Sequence, residues 1–362
     1  MSRTPVALMN LAALRHNYAL AKTMAGSAKT MAVIKANAYG HGLVRVARAL
    51  NDADAFALSC YQEAVAVRSA GVRKPLVLLE GFHASSELLE CTDSDIEWVI
   101  HHRWQIDLLC SSHVNAPVTV WLKIDTGMGR LGFKPHEIAE QVERLQSQGE
   151  TIRLAGYMTH LANADCPEDK TTSLQLEKFE QATFGYAGLR SAANSAGLCA
   201  WETSHYDWVR PGIMLYGVSP FETKTGAELG LKSVMTLKSR LISIKSMQQG
   251  DSISYGGTWV CPESMSVGVV AIGYGDGYPR HAVSGTPVLI RGKQVPLVGR
   301  VTMDMICVDL RGLPEAEIGD EVVLWGAALP VEIIAQKSGT IAYELLCQVT
   351  SRVRQVVEHG EE

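Results

Sequence analysis

The sequence predicts an α/β protein, an N-terminal (β/α)8 TIM-like barrel followed by a mostly β C-terminal domain, and three observations lead there. The chain has 362 residues, 47% of them hydrophobic, and single cores stop growing at roughly 250–300 residues, so two domains are expected. Over the first 225 residues or so, eight short apolar runs alternate with helical stretches, the rhythm of parallel strands buried on both faces and closed into a barrel. From Leu231 onward the rhythm becomes strand alternation broken by Gly and Pro turns, without long helices between.

Taken in order, Leu11, Leu14, Tyr18 and Leu20 are interrupted by Arg15, His16 and Asn17, an amphipathic helix with Asn10 as its cap. The apolar runs are MAVIKA at Met31, AFALS at Ala55, PLVLLE at Pro75, IEWVI at Ile96, VTVWLKID at Val118, IRLAGYMTH at Ile152, a weak run at Ser191 to Ser195, and YDWVRPG at Tyr206. Between them lie segments such as GLVRVARALNDA and SCYQEAVAVRSAG, with apolar residues three and four apart. The second domain is expected to be built from VMTLKSRLISIKSM, SVGVVAIGYG, TPVLIRGKQVPLVG, MICVDL and EVVLWG. Polar, glycine-containing ETKTGAELG, Glu222 to Gly230, reads as the linker, giving domains 1–230 and 231–362.

A net charge of −5 and a pI near 6.1 supply no basic patch for nucleic acid or an anionic membrane, so a small-molecule partner is expected. No window approaches the ~20 apolar residues of a membrane span, and the start lacks a signal-peptide cleavage pattern, which points to the cytosol. The eight cysteines are scattered, with no CxxC pair and no histidine cluster at ligand spacing. Reduced core thiols and no metal site are expected.

In a barrel of this kind chemistry collects at the C-terminal ends of the strands. There the sequence puts Lys35, Glu80, Lys123 with Asp125, His160, Asn194 with Ser195, and Arg210. Two lysines and an arginine suggest an anionic ligand. Barrel phosphate sites lie in the loops after strands seven and eight, here Asn194, Ser195, Gly212 and Ile213. A phosphate there and a lysine on the first strand describe pyridoxal phosphate held as a Schiff base. Spacing alone favours the plainer reading of Lys35 as a strand-end cation with its ammonium in water.

The motifs AVIKANAYGHG, KIDTGMGRLGF, VRPGIMLYG, SYGGTWV, GYGDGYPR, VGRVTMDMICVDL and AYELLC occur in this order from about Val33 to Val353. Together they strongly resemble the bacterial alanine racemases. The resemblance implies a barrel followed by a β domain, pyridoxal phosphate on Lys35, and Tyr255 contributed by the other subunit of a homodimer. Inverting an α-carbon needs a proton to leave one face and another to arrive at the opposite one, hence two bases; a tyrosine in that role needs a nearby cation. By the same resemblance Arg210 meets the pyridine nitrogen, and Tyr39 and Tyr343, with Ser195 and the amides of Gly212 and Ile213, cradle the phosphate. Arg130 contacts the substrate carboxylate, Met303 and Asp304 line the substrate site from the partner subunit, and Lys123 matches a position that is carbamylated in many members. His160, Asp165, Tyr274, Arg280 and Arg300 match a narrow polar access route that selects a methyl side chain.

Taken singly, these residues have plainer uses: Tyr255 packed in a Gly-rich hairpin, Arg210 in an ion pair, Tyr39 and Tyr343 in the core, Lys123 paired with a carboxylate. Ser191 departs from a histidine that supports the pyridine-facing arginine in some members, leaving His205 or water to take its place. The implied activity is interconversion of L- and D-alanine for peptidoglycan. A decarboxylase of basic amino acids on the same barrel would share the AVIKAN lysine, but SYGG and TMDM speak against it. A non-catalytic pyridoxal phosphate carrier would lack the second domain and Tyr255. A broad-spectrum racemase, of a kind typically exported, is disfavoured by the missing signal peptide.

Overall fold

A computed structural model describes residues 5–91, 95–112 and 117–358, and these form two compact units. Residues 17–38 and 42–215 make the barrel unit; residues 5–16, 39–41 and 216–358 make the β unit. The division therefore follows Leu215, where the sequence reading placed it at 230/231. The ETKTGAELG segment lies wholly inside the β unit.

The first element is one the sequence reading missed, strand β1 (Val6–Met9), which joins the β unit by antiparallel pairing with Met235–Lys238. It is too short for its alternation to stand out beside the helix that follows. That helix, Leu11–Ala25, begins as expected: Asn10 Oδ1 accepts the Ala13 N–H at 2.7 Å, a cap worth about 1 kcal/mol.

The closed barrel runs in chain order through β2 (Lys29–Val33), β3 (Ala55–Leu58), β4 (Leu76–Leu78), β5 (Ile96–Ile100), β6 (Val118–Lys123), β7 (Ile152–Met158), β8 (Leu189–Ser191) and β9 (Trp208–Val209). Every pairing is parallel, and β2 closes on β9 through Lys29↔Trp208 and Thr30↔Val209. All four residues of β3 are buried, as is expected of strands covered on both faces. Burying Phe56 and Leu58 stabilises by roughly 1.5–3 kcal/mol each. The seventh barrel strand, β8, ends at Ser191 rather than spanning Ser191 to Ser195, because Ser195 already starts a helix, Ser195–Ala200.

The β unit contains β10 (Met235–Met247), β11 (Ser252–Ile253), β12 (Trp259–Val260), β13 (Met265–Val270), β14 (Pro287–Ile290), β15 (Lys293–Val298), β16 (Ile306–Asp309), β17 (Glu321–Trp325) and β18 (Arg354–Val357). Its main sheet has the order β13-β16-β15-β14-β17-β10-β1-β18, and β13 also pairs with β10, closing six strands into a ring. Strand β10 achieves this by its length: Leu237–Arg240 pairs with β17 and Leu241–Met247 with β13, with a register shift in each ladder. The helices Val331–Lys337 and Ala342–Gln348 were absent from the sequence reading.

Cysteine placement corrects another expectation. Only Cys261 is buried; Cys166 and Cys347 are exposed and the other five are half-buried. No helix among the described residues is long and apolar enough to cross a membrane.

Candidate active site

Strand β2 delivers Lys35 to the C-terminal rim, and the backbone then turns abruptly. Ala36, Asn37, Ala38 and Tyr39 all have φ between 51° and 54°, a left-handed turn of four residues with side chains, disfavoured by roughly 1–2 kcal/mol per residue. Such strain persists only where surroundings hold it. Ala38 N–H donates to Ile34 O at 2.9 Å, Leu43 N–H to Asn37 Oδ1 at 2.8 Å, and Ala36 N–H to Glu63 Oε1 at 2.7 Å.

Four cations converge around that rim. Burial, then the charges of Arg210, Arg130 and Lys35, pull the Lys123 ammonium down to about 8, with Glu80 acting in the opposite direction. Lys123 is 8% exposed, and among the described residues no carboxylate forms an ion pair with it. Burial and the same set, Arg210, Lys123, Arg130 and Lys35, hold His160 well below the usual histidine range, so its imidazole is neutral at pH 7.

Arg210, 4% exposed, is fixed by a ring of acceptors. Nη1 donates to Ser191 Oγ at 2.5 Å; Nη2 donates to Thr159 O at 2.6 Å, Ala192 O at 3.2 Å and His160 Nδ1 at 3.4 Å. Ser191 Oγ in turn donates to Trp208 O at 2.8 Å, so Ser191 itself holds Arg210. His205 does not: its Nε2 donates to Leu198 O at 3.1 Å. Burial lowers Arg210 to about 10, which still leaves a cation at neutral pH.

At the ends of β8 and β9, Ser195 Oγ accepts the Gly212 N–H at 2.9 Å, and Ile213 is buried beside them. Asn194 is engaged in the fold itself, its Oδ1 capping Gly197 N–H at 2.9 Å and its Nδ2 donating to Leu161 O at 3.3 Å. Asp125 is likewise structural. It accepts from Gly127 and Gly129 N–H and from Lys134 Nζ at 2.6 Å, shaping the loop that carries exposed Arg130. Burial alone would raise the Asp125 carboxyl, but those hydrogen bonds hold it below the usual carboxylate range. Gly132 is required there: at φ +125°, a Cβ would lie 2.6 Å from Asp125 N.

The β unit holds the remaining candidates in two groups. Tyr39 stacks on Tyr216 with ring centroids 4.8 Å apart and lies 6.1 Å from Tyr343; burial, then Tyr343 and Cys347, raise its phenol. Tyr255 is 71% exposed on the turn Tyr255–Gly257, and the Arg300 guanidinium lies so close to Gly256 that a Cβ would come within 3.1 Å of it. Met303 is 52% exposed and Tyr274 also faces outward. Asp304 pairs with Arg352 at 2.5 Å, and Arg352 reaches Asp276 at 3.4 Å. Asp165 and Arg280 are exposed, the first on the barrel unit and the second on the β unit.

These residues supply one amine among three further cations, a buried hydroxyl and backbone amide at the phosphate-type corner, and an exposed phenol beside an arginine. Residues 9–220 match the family model described as alanine racemase, N-terminal domain, and residues 234–357 the one described as alanine racemase, C-terminal domain. The chain belongs to the alanine racemases. An alanine racemase of Nitrosococcus oceani is 53% identical over 98% of this chain and 99% of its own, and one of Halorhodospira halophila is 49% identical over the whole of both. The crystal structure of the biosynthetic alanine racemase from Pseudomonas aeruginosa, 44% identical, superposes with a TM-score of 0.96 over 99% of this chain and 100% of that one.

Sequence reasoning missed Glu63, Thr159, Tyr216 and Arg352. Each lay in view, in SCYQEAVAVRSAG, YMTH, MLYG and the chain's end, but nothing local distinguishes a side chain that bonds across the fold.

Proposed function

We propose that this protein interconverts L- and D-alanine with Lys35 and Tyr255 as its two bases, and that the D-alanine serves peptidoglycan synthesis. The observation that carries the reading is Lys35 at the end of the first barrel strand among Lys123, Arg130 and Arg210, in a chain matched from end to end by alanine racemases.

Pyridoxal phosphate fits this donor set. Lys35 is the amine that would hold it covalently; Ser195 with the Gly212 and Ile213 amides would take the phosphate, and the motif match adds Tyr39 and Tyr343. Asn194 would contribute through the helix that it caps. When bound, the cofactor supplies a conjugated ring that accepts the electron pair left at a deprotonated α-carbon. Arg210 faces that ring in the family pattern. An arginine that keeps its own proton at neutral pH leaves a pyridine nitrogen unprotonated, which weakens the electron sink and favours prompt return of a proton.

Lys35 Nζ then exchanges the α-proton on one face and Tyr255 Oη on the other, with Arg300 the cation nearest the tyrosine turn. Arg130 binds the substrate carboxylate as a fork. A carbamate on Lys123 would replace a buried cation by an anion able to orient Arg130. The low proton affinity of Lys123 supports this, since only the neutral amine adds to carbon dioxide. Tyr255, Met303 and Asp304 act across a homodimer in this reading, and the exposure of Tyr255 and Met303 is what surfaces awaiting a partner would have. His160, Asp165, Tyr274, Arg280 and Arg300 are assigned to substrate access, and the working compartment is the cytosol.

The test is incubation with L-alanine and pyridoxal phosphate in heavy water, following chirality and deuterium at the α-carbon. Inversion with deuterium incorporation is expected. Neither inversion nor exchange, with the cofactor bound at Lys35, would mean another substrate.

A further inference from the structure

Glu63, on the helix Tyr61–Ser69, has no part in the chemistry proposed above, yet its carboxylate joins two barrel strands at their ends. Oε2 accepts the Ser59 N–H at 2.9 Å, one residue beyond β3, and Oε1 accepts the Ala36 N–H at 2.7 Å, one residue beyond Lys35. Ser59 is tied in turn to the next strand end, its Oγ donating to Glu80 Oε1 at 2.9 Å.

The position of the second bond gives it its weight. Ala36 opens the left-handed turn, φ 53° and ψ 52°, and an alanine adopts that geometry only when held in it. A neutral acceptor would hold it less firmly than an ionised one, which makes the shorter and stronger bond. A slackened turn would let Ala36 relax toward right-handed or extended backbone, swinging the Cα–Cβ bond of Lys35. Because Lys35 reaches the site through a long flexible side chain, a small rotation at its Cα becomes a large displacement at Nζ.

We propose that Glu63 is a positioning residue: it clamps the left-handed turn to the end of β3 and so fixes the direction from which Lys35 presents its amine. This rests on Lys35 being the cofactor lysine. It also explains a strained turn directly after that lysine, where a relaxed turn would leave the amine free to wander.

The test measures pyridoxal phosphate affinity of cofactor-free protein by fluorescence titration in the parent, Glu63→Ala, Ala36→Gly and the double variant. Glu63→Ala is expected to bind at least about tenfold more weakly, in keeping with loss of a charged hydrogen bond. Ala36→Gly should recover much of that loss, since glycine enters the left-handed region without steric penalty. Parental affinity in Glu63→Ala, or a loss that Ala36→Gly leaves untouched while the melting temperature falls, would overturn the proposal and leave Glu63 as a stabiliser of the barrel. If Glu63→Ala does not fold, Glu63→Gln, which keeps one acceptor oxygen, is read the same way. Borohydride reduction and peptide mapping of the parent test the cofactor reading separately. Should the parent carry no cofactor on Lys35, amide exchange at Ala36 decides the clamp alone: faster in Glu63→Ala supports it, unchanged overturns it.

Discussion

Lys123 is a cation that the barrel would rather not hold, and replacing it by methionine measures how much. Its ordinary value of 10.5 falls to about 8 in the fold. At about 1.4 kcal/mol per pH unit, the charged ammonium therefore destabilises the folded state by about 3 kcal/mol wherever both states are protonated. The unfolded chain binds more protons between pH 8 and 10.5, so stability rises with pH through that window. Lys123→Met should stabilise the cofactor-free protein by about 3 kcal/mol at pH 6.5 and by about 1.5 kcal/mol at pH 9.5. The assay is urea denaturation at both pH values in buffer stripped of carbon dioxide. Adding bicarbonate near pH 8 should stabilise the parent, as the neutral amine adds carbon dioxide and releases a proton, while leaving the methionine variant unchanged; carbon-13 bicarbonate would label the carbamate. An equal effect at both pH values, or a variant less stable at pH 6.5, would refute the argument that unpaired burial governs this lysine.

Ser191→Ala removes the acceptor nearest Arg210 and should lower kcat about tenfold, consistent with about 1.5 kcal/mol for a hydrogen bond to a charged group; steady-state kinetics would show it, and parental kcat would mean that Thr159 and Ala192 suffice. Asp125→Ala releases three hydrogen bonds that shape the Arg130 loop, with an expected loss of about 2–3 kcal/mol at pH 7. Since the Asp125 carboxyl is held below its usual range, the difference should shrink as pH falls through its folded value, a trend that melting curves from pH 7 to 3 can check. Lys35→Ala and Tyr255→Phe subunits, each inactive alone, should regain partial activity when mixed. No recovery despite proven subunit exchange would rule out a shared site.

The barrel was legible because all its strands but the seventh announce themselves locally. AFAL and IEWVI are apolar runs between helical stretches, and eight such units favour closure into a barrel. Lys35 and Arg210 were legible through the motifs around them, and Asn10 as a cap because a cap acts three residues away. Strand β1 was hidden because its partners are β10 and β18, more than two hundred residues downstream. Asn194 stood among the ligand candidates by position, but its side chain turned out to cap a helix. The sequence left the support of Arg210 to His205 or water; His205 bonds Leu198 O instead, and Ser191 provides the support.

By itself, then, the sequence determined the succession of barrel strands and the two-part architecture and named the candidates for the chemistry, since period-two and helical patterning and short motifs are properties of near neighbours. Only the tertiary structure decided how those residues are held: the ring of acceptors on Arg210, the unpaired burial of Lys123, the four-residue left-handed turn after Lys35 and the Glu63 clamp upon it. The bonds that Arg210 makes to Ser191 and Thr159 join residues nineteen and fifty-one positions apart and the clamp joins residues twenty-seven apart, and such bonds form only when packing brings separate strand ends to one rim. Burial of Lys123 and Arg210 there also removes water that would otherwise screen their like charges from one another, a condition that no stretch of sequence carries on its own.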